Sequence, residues 1–166
     1  MNNEYSKKYE EMKFKYFSSK KRKRTLILWN QYMTYLFYVL YPLLLVFVLL
    51  FHHEDFLKVI GIPSISFIVL TIVRKMINAP RPYENGWLIP IISKNTKGNS
   101  MPSRHIFSAT CISILWFYYN PMFGMILLLI SVINAIVRVL GGVHYPKDVV
   151  VGYLVGVACG FLMYLY

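Results

Sequence analysis

From Thr25 to Phe51 the chain runs without one charged side chain. About 20 apolar residues suffice for a helix to cross the hydrocarbon core of a bilayer. This run therefore holds one long crossing helix and not two, with Pro42 as a kink point and Trp29, Tyr32 and Tyr35 near its start as interface anchors. Further apolar runs follow at 56–77, 103–119, 121–140 and 147–166. The chain is 57% hydrophobic and 15% charged, with a mean hydropathy of +0.47. A soluble domain of this length has too much surface to hide that balance. The pattern predicts an all-α fold, a polytopic transmembrane bundle of about five spans over residues 25–166.

Breakers divide the runs. His52, His53, Glu54 and Asp55 separate the first from the second, which ends at Arg74 and Lys75. Residues 78–102 carry Pro80, Pro82, Pro90, Gly86 and Gly98 and read as the one long loop. Asn120-Pro121 is a turn, Gly141-Gly142 ends the fourth run, and Pro102 and Pro146 read as helix starts. The last run carries Gly152, Gly156 and Gly160, a ridge that lets helix backbones approach. Packing inside the bundle is its first reading, and a contact between two copies of the chain its second. Cys111 and Cys159 lie in apolar segments with no CxxC spacing and read as small core residues. The first apolar run starts too late and is too long for the core of a cleavable leader, so none is expected.

The formal charge is +11, and nine of the eighteen Lys and Arg lie before Thr25. A pI near 9.7 raises nucleic acid as a partner. A basic run abutting an apolar segment instead marks a flank facing anionic lipid, so the partner expected is the bilayer and no nucleic acid. Within residues 1–24, Tyr5, Tyr9, Met12 and Phe17 recur at roughly helical spacing, as in an amphipathic helix on the membrane surface. A disordered basic tail is the alternative.

Charged groups that persist in or beside a bilayer usually have a function. Here they gather at Arg74-Lys75 with Arg81-Pro82, at Pro102-Ser103-Arg104-His105, and at Arg138, His144 and Asp148. Arg81 and Arg138 offer permanently charged forks suited to phosphate oxygens, and Arg74 or Lys75 adds a further cation. Ser103 to His105 present backbone N–H groups at a positive helix end. Asp148, four residues after His144, can hold one imidazole nitrogen and leave the other free to attack. His105, on another helix, can serve as general acid. Singly, each has an ordinary explanation: Ser103 as a helix cap, Arg74, Lys75 and Lys147 as headgroup flanks. Arg138 is harder to dismiss, because Val132 to Leu140 is otherwise almost wholly apolar.

The constellation resembles the type 2 phosphatidic acid phosphatase, or lipid phosphate phosphatase, superfamily. Its signatures are Lys-x6-Arg-Pro, Pro-Ser-Gly-His and Ser-Arg-x5-His-x3-Asp. This sequence reads Arg74-KMINAP-Arg81-Pro82, Pro102-Ser103-Arg104-His105, and Val137-Arg138-VLGGV-His144-YPK-Asp148. Order and internal spacing are kept across roughly residues 70–160. The resemblance implies that residues 25–166 form a transmembrane lipid phosphatase domain. It implies His144 as nucleophile through a phosphohistidine, Asp148 as its orienter, and His105 as proton donor and later base. Arg74, Arg81, Ser103 and Arg138 hold the phosphoryl oxygens, and no metal or other cofactor is implied. Arg74 stands for the usual Lys, with Lys75 able to share its work. Arg104 stands for Gly and adds charge beside the phosphate, and Val137 stands for Ser with the loss of one hydrogen bond.

The substrate implied is a membrane lipid phosphate: a polyprenyl (di)phosphate, phosphatidylglycerophosphate or phosphatidic acid. Two other readings stay open, a lipid-to-lipid phosphotransferase and a non-enzymatic membrane adaptor. A vanadate-type haloperoxidase is disfavoured, since those resemble larger, soluble enzymes. Members with six spans carry the site on the external face when the N-terminus is inside. Five spans put the N-terminus and all three signatures on one side, and the opposite loops at 52–55 and 119–121 hold no Lys or Arg. The expectation is a multi-pass cell-membrane protein whose site faces the cytoplasm.

Overall fold

A computed structural model describes residues 2–84, 86 and 88–165. The helices are α1 (Asn2–Phe17), α2 (Lys20–Phe51), α3 (Phe56–Ile77), α4 (Arg104–Tyr119), α5 (Pro121–Leu140) and α6 (Pro146–Gly160), with single 3-10 turns at His53–Asp55 and Phe161–Tyr164. No strand occurs among the described residues. The all-helical bundle expected from the apolar runs is present.

Local chemistry sets most of the boundaries. Ser19 caps α2 by accepting from Lys21 N at 3.3 Å, so the basic residues 20–24 form its first turns instead of a tail. α3 ends on Asn78, which adopts a left-handed conformation (φ 42°) and closes on the Arg74 carbonyl at 2.9 Å; Pro80 follows two residues later. Asn120 accepts from Phe123 N at 3.0 Å and Pro121 begins α5. Pro146 is the first residue of α6, as its sequence signal implies. Pro102 corrects that reading at the other site. It precedes the N-cap Ser103, whose backbone is extended, and α4 opens at Arg104. Pro63 lies inside α3 and cannot donate to the Val59 carbonyl four residues back. The hydroxyl of Tyr41 on α2 takes that acceptor at 3.1 Å, which is how a bilayer helix tolerates proline.

Four helical segments are long and apolar enough to cross a membrane: Lys20–Phe51, His53–Ile77, Pro121–Leu140 and Pro146–Tyr164. α4, with 16 residues, is the fifth member of the bundle and its axis. It packs most extensively on α6 and α5, and nine consecutive or near-consecutive residues from Ile106 to Leu115 are buried. α3 is the opposite case. Only 11% of its most apolar window is buried, at a hydropathy of 2.2, so its outer face is matched to lipid. The glycine ridge explains the closeness of α4 and α6. A Cβ on Gly152 would lie 2.7 Å from Ser103 O, one on Gly156 2.7 Å from Phe107 O, and one on Gly160 2.5 Å from Ile114 Cβ. All three are buried in that contact, the packing inside the bundle that the sequence suggested first.

The helix ends sort into two faces. At one, His52 stacks near Tyr119 (ring centroids 4.9 Å apart), Tyr118 near Tyr164 (5.0 Å), and Tyr119 donates to the buried Asp55 at 3.3 Å. At the other, Leu26, Ile91 and Val137 form a small core, and α1 lies against it. Tyr9 of α1 is buried and donates to Leu140 O at 3.0 Å. Tyr5 packs on Tyr145 with centroids 5.0 Å apart, and Lys13 donates to Ile89 O at 2.9 Å. The helical reading of residues 1–24 therefore prevails over the disordered one for the described part of that segment, and its aromatic side docks on protein.

Candidate active site

The second face gathers all three charged segments. Arg74, in the last turn of α3, is 4% exposed and donates to the carbonyls of Asn99 and Pro102. Arg81 donates through Nε to Gly98 O at 3.1 Å and through Nη1 to Val143 O at 3.3 Å. Each guanidinium thus ties chain segments together with part of its donor set and keeps the rest. Glu84 closes the same loop by accepting from Arg81 N at 2.7 Å and Gly98 N at 2.6 Å. Arg138 comes from the last turn of α5, buried, with Nη2 donating to Thr34 Oγ1 of α2 at 3.3 Å.

Between these cations sits His144, 1% exposed in the short connection from α5 to α6. Its Nδ1 is 3.6 Å from Asp148 Oδ2 and 3.3 Å from Ser100 Oγ. Ser100 donates to the same carboxylate oxygen at 2.5 Å, and Tyr145 N donates to it at 3.0 Å. The carboxylate is held by two donors and faces one edge of the ring. A proton on Nδ1 then leaves the Nε2 lone pair free. Burial pulls the His144 imidazole down to about 4, Asp148 opposes that pull, and Arg138 and Arg81 add to it. At neutral pH the ring is uncharged.

The buried polar atoms without a partner among the described residues include Ser103 Oγ, Arg138 Nε and the second carboxylate oxygen of Asp148, Oδ1. Ser103 is fully buried at the N-cap position of α4, but its hydroxyl makes no capping hydrogen bond. Its backbone N donates to Asp148 O at 2.9 Å, locking the start of α4 to the start of α6. Buried donors without acceptors mark a place where a ligand belongs. His105, one residue into α4, lies within coulombic range of both His144 and Arg138. It lines a cavity of about 350 Å³ with Arg138, Lys94, Val143, Thr34 and Tyr38. Thr34, Tyr38 and His105 also line a second cavity of about 220 Å³, with Phe37, Phe67 and Ile112. Phe67, Ser108 and Ile112 continue into a third of about 330 Å³, walled by Tyr41, Pro63 and Ile68. A polar mouth thus leads into an apolar crevice between α2, α3 and α4. No group of three His, Cys, Asp or Glu able to hold a metal ion occurs among the described residues.

The family model of the PAP2 superfamily matches residues 14–166. This chain belongs to the PAP2 superfamily. Among curated relatives it is 30% identical over 104 residues to the bacitracin transport permease protein BcrC of Bacillus licheniformis, covering 60% of this chain and 51% of that one. It is 28% identical over 130 residues to the undecaprenyl-diphosphatase BcrC of Bacillus subtilis strain 168, covering 76% and 67%. The match thus spans about half the length of the first relative and two thirds of the second. Among solved structures, Aquifex aeolicus LpxE superposes with a TM-score of 0.71 at 27% identity, over 86% of this chain and 87% of that one. A PAP2-type phosphatidylglycerolphosphate phosphatase from Bacillus subtilis gives 0.75 at 19% identity, over 98% and 82%, and shares the fold.

For a PAP2 member, the departures at the motif positions have visible surroundings. Val137, where the motif has Ser, is a core residue packed with Leu26 and Ile91. Arg104, where the motif has Gly, is exposed and stacks over Phe67 at 5.7 Å; it lines the middle cavity with His105. Lys75 is exposed in the last turn of α3 and lines none of these three cavities. Arg74, at the first basic position of the motif, is buried in the same turn. Ser100, Glu84, Lys94 and Thr34 take part without having been singled out in the sequence. Ser100 had one available signal, a serine in the same loop three residues before Ser103.

Proposed function

We propose that this chain is an integral membrane phosphohydrolase that releases phosphate from a lipid phosphate or diphosphate through a phosphohistidine on His144, with no metal. Residues 25–166 are the catalytic domain in this reading, and residues 1–24 its surface segment. One observation carries it: a buried, neutral imidazole backed by Asp148 and Ser100 follows Val143 in the chain and lies in the field of Arg138, and Val143, Arg138 and His105 line a polar cavity that continues into lipid-facing helices. The names of the relatives support the substrate class. Polyprenyl diphosphates and phosphatidylglycerophosphate are the leading candidates, and phosphatidic acid is the third.

In the first step the Nε2 lone pair of His144 forms a bond to phosphorus. The bond from phosphorus to the lipid oxygen breaks, its electron pair staying on that oxygen, which takes a proton from His105. Ser103 Oγ, Arg138 Nε and the remaining donors of Arg74 and Arg81 meet the equatorial oxygens as charge spreads over them. In the second step His105 takes a proton from water, the hydroxide oxygen bonds to phosphorus, and the P–N bond returns its pair to His144. The guanidinium groups supply the positive charge that a metal supplies in other phosphatases.

The test is phosphate release by the purified chain from a panel of lipid phosphates with EDTA present, beside His144→Ala and His105→Ala. Turnover should survive chelation, and both variants should lose it. An acid-labile phosphoenzyme should form with His105→Ala and not with His144→Ala. Loss on chelation overturns the metal-free mechanism. Full activity in both variants overturns the site and favours a non-enzymatic adaptor.

The site face is read as cytoplasmic. The basic segment 1–24 lies on that face with α1, and of the eighteen Lys and Arg only Lys58, paired with Asp55 at 3.3 Å, belongs to the other end. A cysteine at the exposed position Asn95 should resist a membrane-impermeant maleimide in intact cells and react after permeabilisation. Labelling before permeabilisation reverses the orientation.

A further inference from the structure

Lys94 belongs to the loop between α3 and α4 and lines the polar cavity beside His105 and Arg138. The charged and titratable groups that share its cavity or its field are Tyr35 and Tyr38 of α2, Arg74 of α3, Arg104 and His105 of α4, Arg138 of α5, and Arg81 of the same loop. None is a carboxylate. No hydrogen bond or ion pair to Lys94 occurs among the described residues. Burial and the fields of Arg138, Arg81, Arg74 and Arg104, in that order, bring its ammonium down to about 8. A partly buried ammonium among other cations gains when an anion arrives to share it.

The phosphoryl group attacked by His144 is already provided for. Ser103 Oγ, Arg138 Nε and the remaining donors of Arg74 and Arg81 are enough for its three equatorial oxygens. Lys94 is a surplus charge, and it lines the same cavity as His105, the group assigned to protonate the leaving oxygen.

We propose that Lys94 holds the inner phosphate of a lipid diphosphate, so that this site prefers diphosphates over monophosphates. The proposal rests on the assignment of His144 as nucleophile and His105 as proton donor. His144 bonds to the outer phosphorus, and the bond from that phosphorus to the bridging oxygen breaks with its electrons on the bridging oxygen. The bridging oxygen takes the proton of His105, and the inner phosphate leaves with the lipid as a monophosphate, its negative charge facing Lys94 throughout. Water then returns the outer phosphate as inorganic phosphate and restores both imidazoles. An ammonium so placed favours departure of a phosphate more than departure of a simple alkoxide, which carries no neighbouring oxygens for it to hold.

The experiment compares kcat/KM of the purified full-length chain on a polyprenyl diphosphate and on the monophosphate of the same chain length, in micelles, across pH. The wild type should favour the diphosphate. Lys94→Met should lower that preference by about ten- to a hundred-fold, the range of one charge-assisted hydrogen bond, and Lys94→Arg should restore most of it. Because the ammonium is lost as pH rises, diphosphate kcat/KM in the wild type should fall through about pH 8, and Lys94→Arg should move that limb upward. A preference unchanged within about two-fold in Lys94→Met, or a limb unmoved in Lys94→Arg, overturns the proposal. If the wild type releases phosphate from neither lipid, or His144→Ala keeps wild-type rates on both, the phosphohydrolase reading itself is overturned, and this one with it.

Discussion

Ser100 shows how a residue without a motif can sit at the centre of a buried polar cluster. It donates to Asp148 at 2.5 Å and lies 3.3 Å from His144, across sequence separations of 48 and 44 that no local periodicity can reveal. Ser100→Ala should lower kcat by about ten-fold with KM nearly unchanged, as loss of a group that orients a ligand or nucleophile does; steady-state kinetics check this. His144 gives a second prediction at this scale. Burial holds its imidazole at about 4, below the unfolded value near 6.5. The ring therefore stays neutral through pH 6, and the acid limb of kcat/KM should set in only as pH falls toward about 4. Stability follows the same sign. Between about 6.5 and 4 the unfolded ring takes up a proton that the folded ring refuses, so the folded state loses ground as pH drops through that window. The motif residues His105, His144, Asp148, Ser103, Arg81 and Arg138 were legible because their chemistry is rare beside a bilayer. Glu84 and Lys94 were not, because in a polar loop their charges look like ordinary solvation.

Helix ends carry the next level of information. Proline, glycine and asparagine punctuate the chain, and the boundaries of α3 and α5 follow them closely. Two ends depart. α2 begins at Lys20 because Ser19 caps it, and the chain tightens at Phe161 into a 3-10 turn. The glycine ridge was visible as a pattern, but only three-dimensional packing assigns it to α4. That assignment has a functional side, because the same contact seats Ser103 against Asp148. Gly156→Leu should push Phe107 and Thr110 away and cost at least about 1–3 kcal/mol, as over-packed cores do. A lowered Tm in detergent, together with reduced activity, is the measurement. An unchanged Tm would mean that α6 is free to move away from α4.

The molecule as a whole is polarised along the membrane normal. One end gathers the starts of α2, α4 and α6, the ends of α3 and α5, and α1; the other is closed by Asp55, Tyr119, Tyr118 and Tyr164. The reversal of direction from each spanning helix to the next makes that convergence unavoidable, which is why the grouping of the three signatures was readable before any coordinates. The docking of α1 on the loop that bears His144 was not, since Tyr5 and Tyr9 have no partner pattern within their own segment. The same polarity distributes the four histidines over unequal depths. His53 is exposed and His52 partly so at the closed end, His105 is partly covered at the cavity wall, and His144 is enclosed. An acylating reagent such as diethyl pyrocarbonate should consume them in that sequence, followed by mass spectrometry of peptides. Inactivation should keep step with acylation of the third ring and leave the fourth unmodified, and orthovanadate in the medium should slow it.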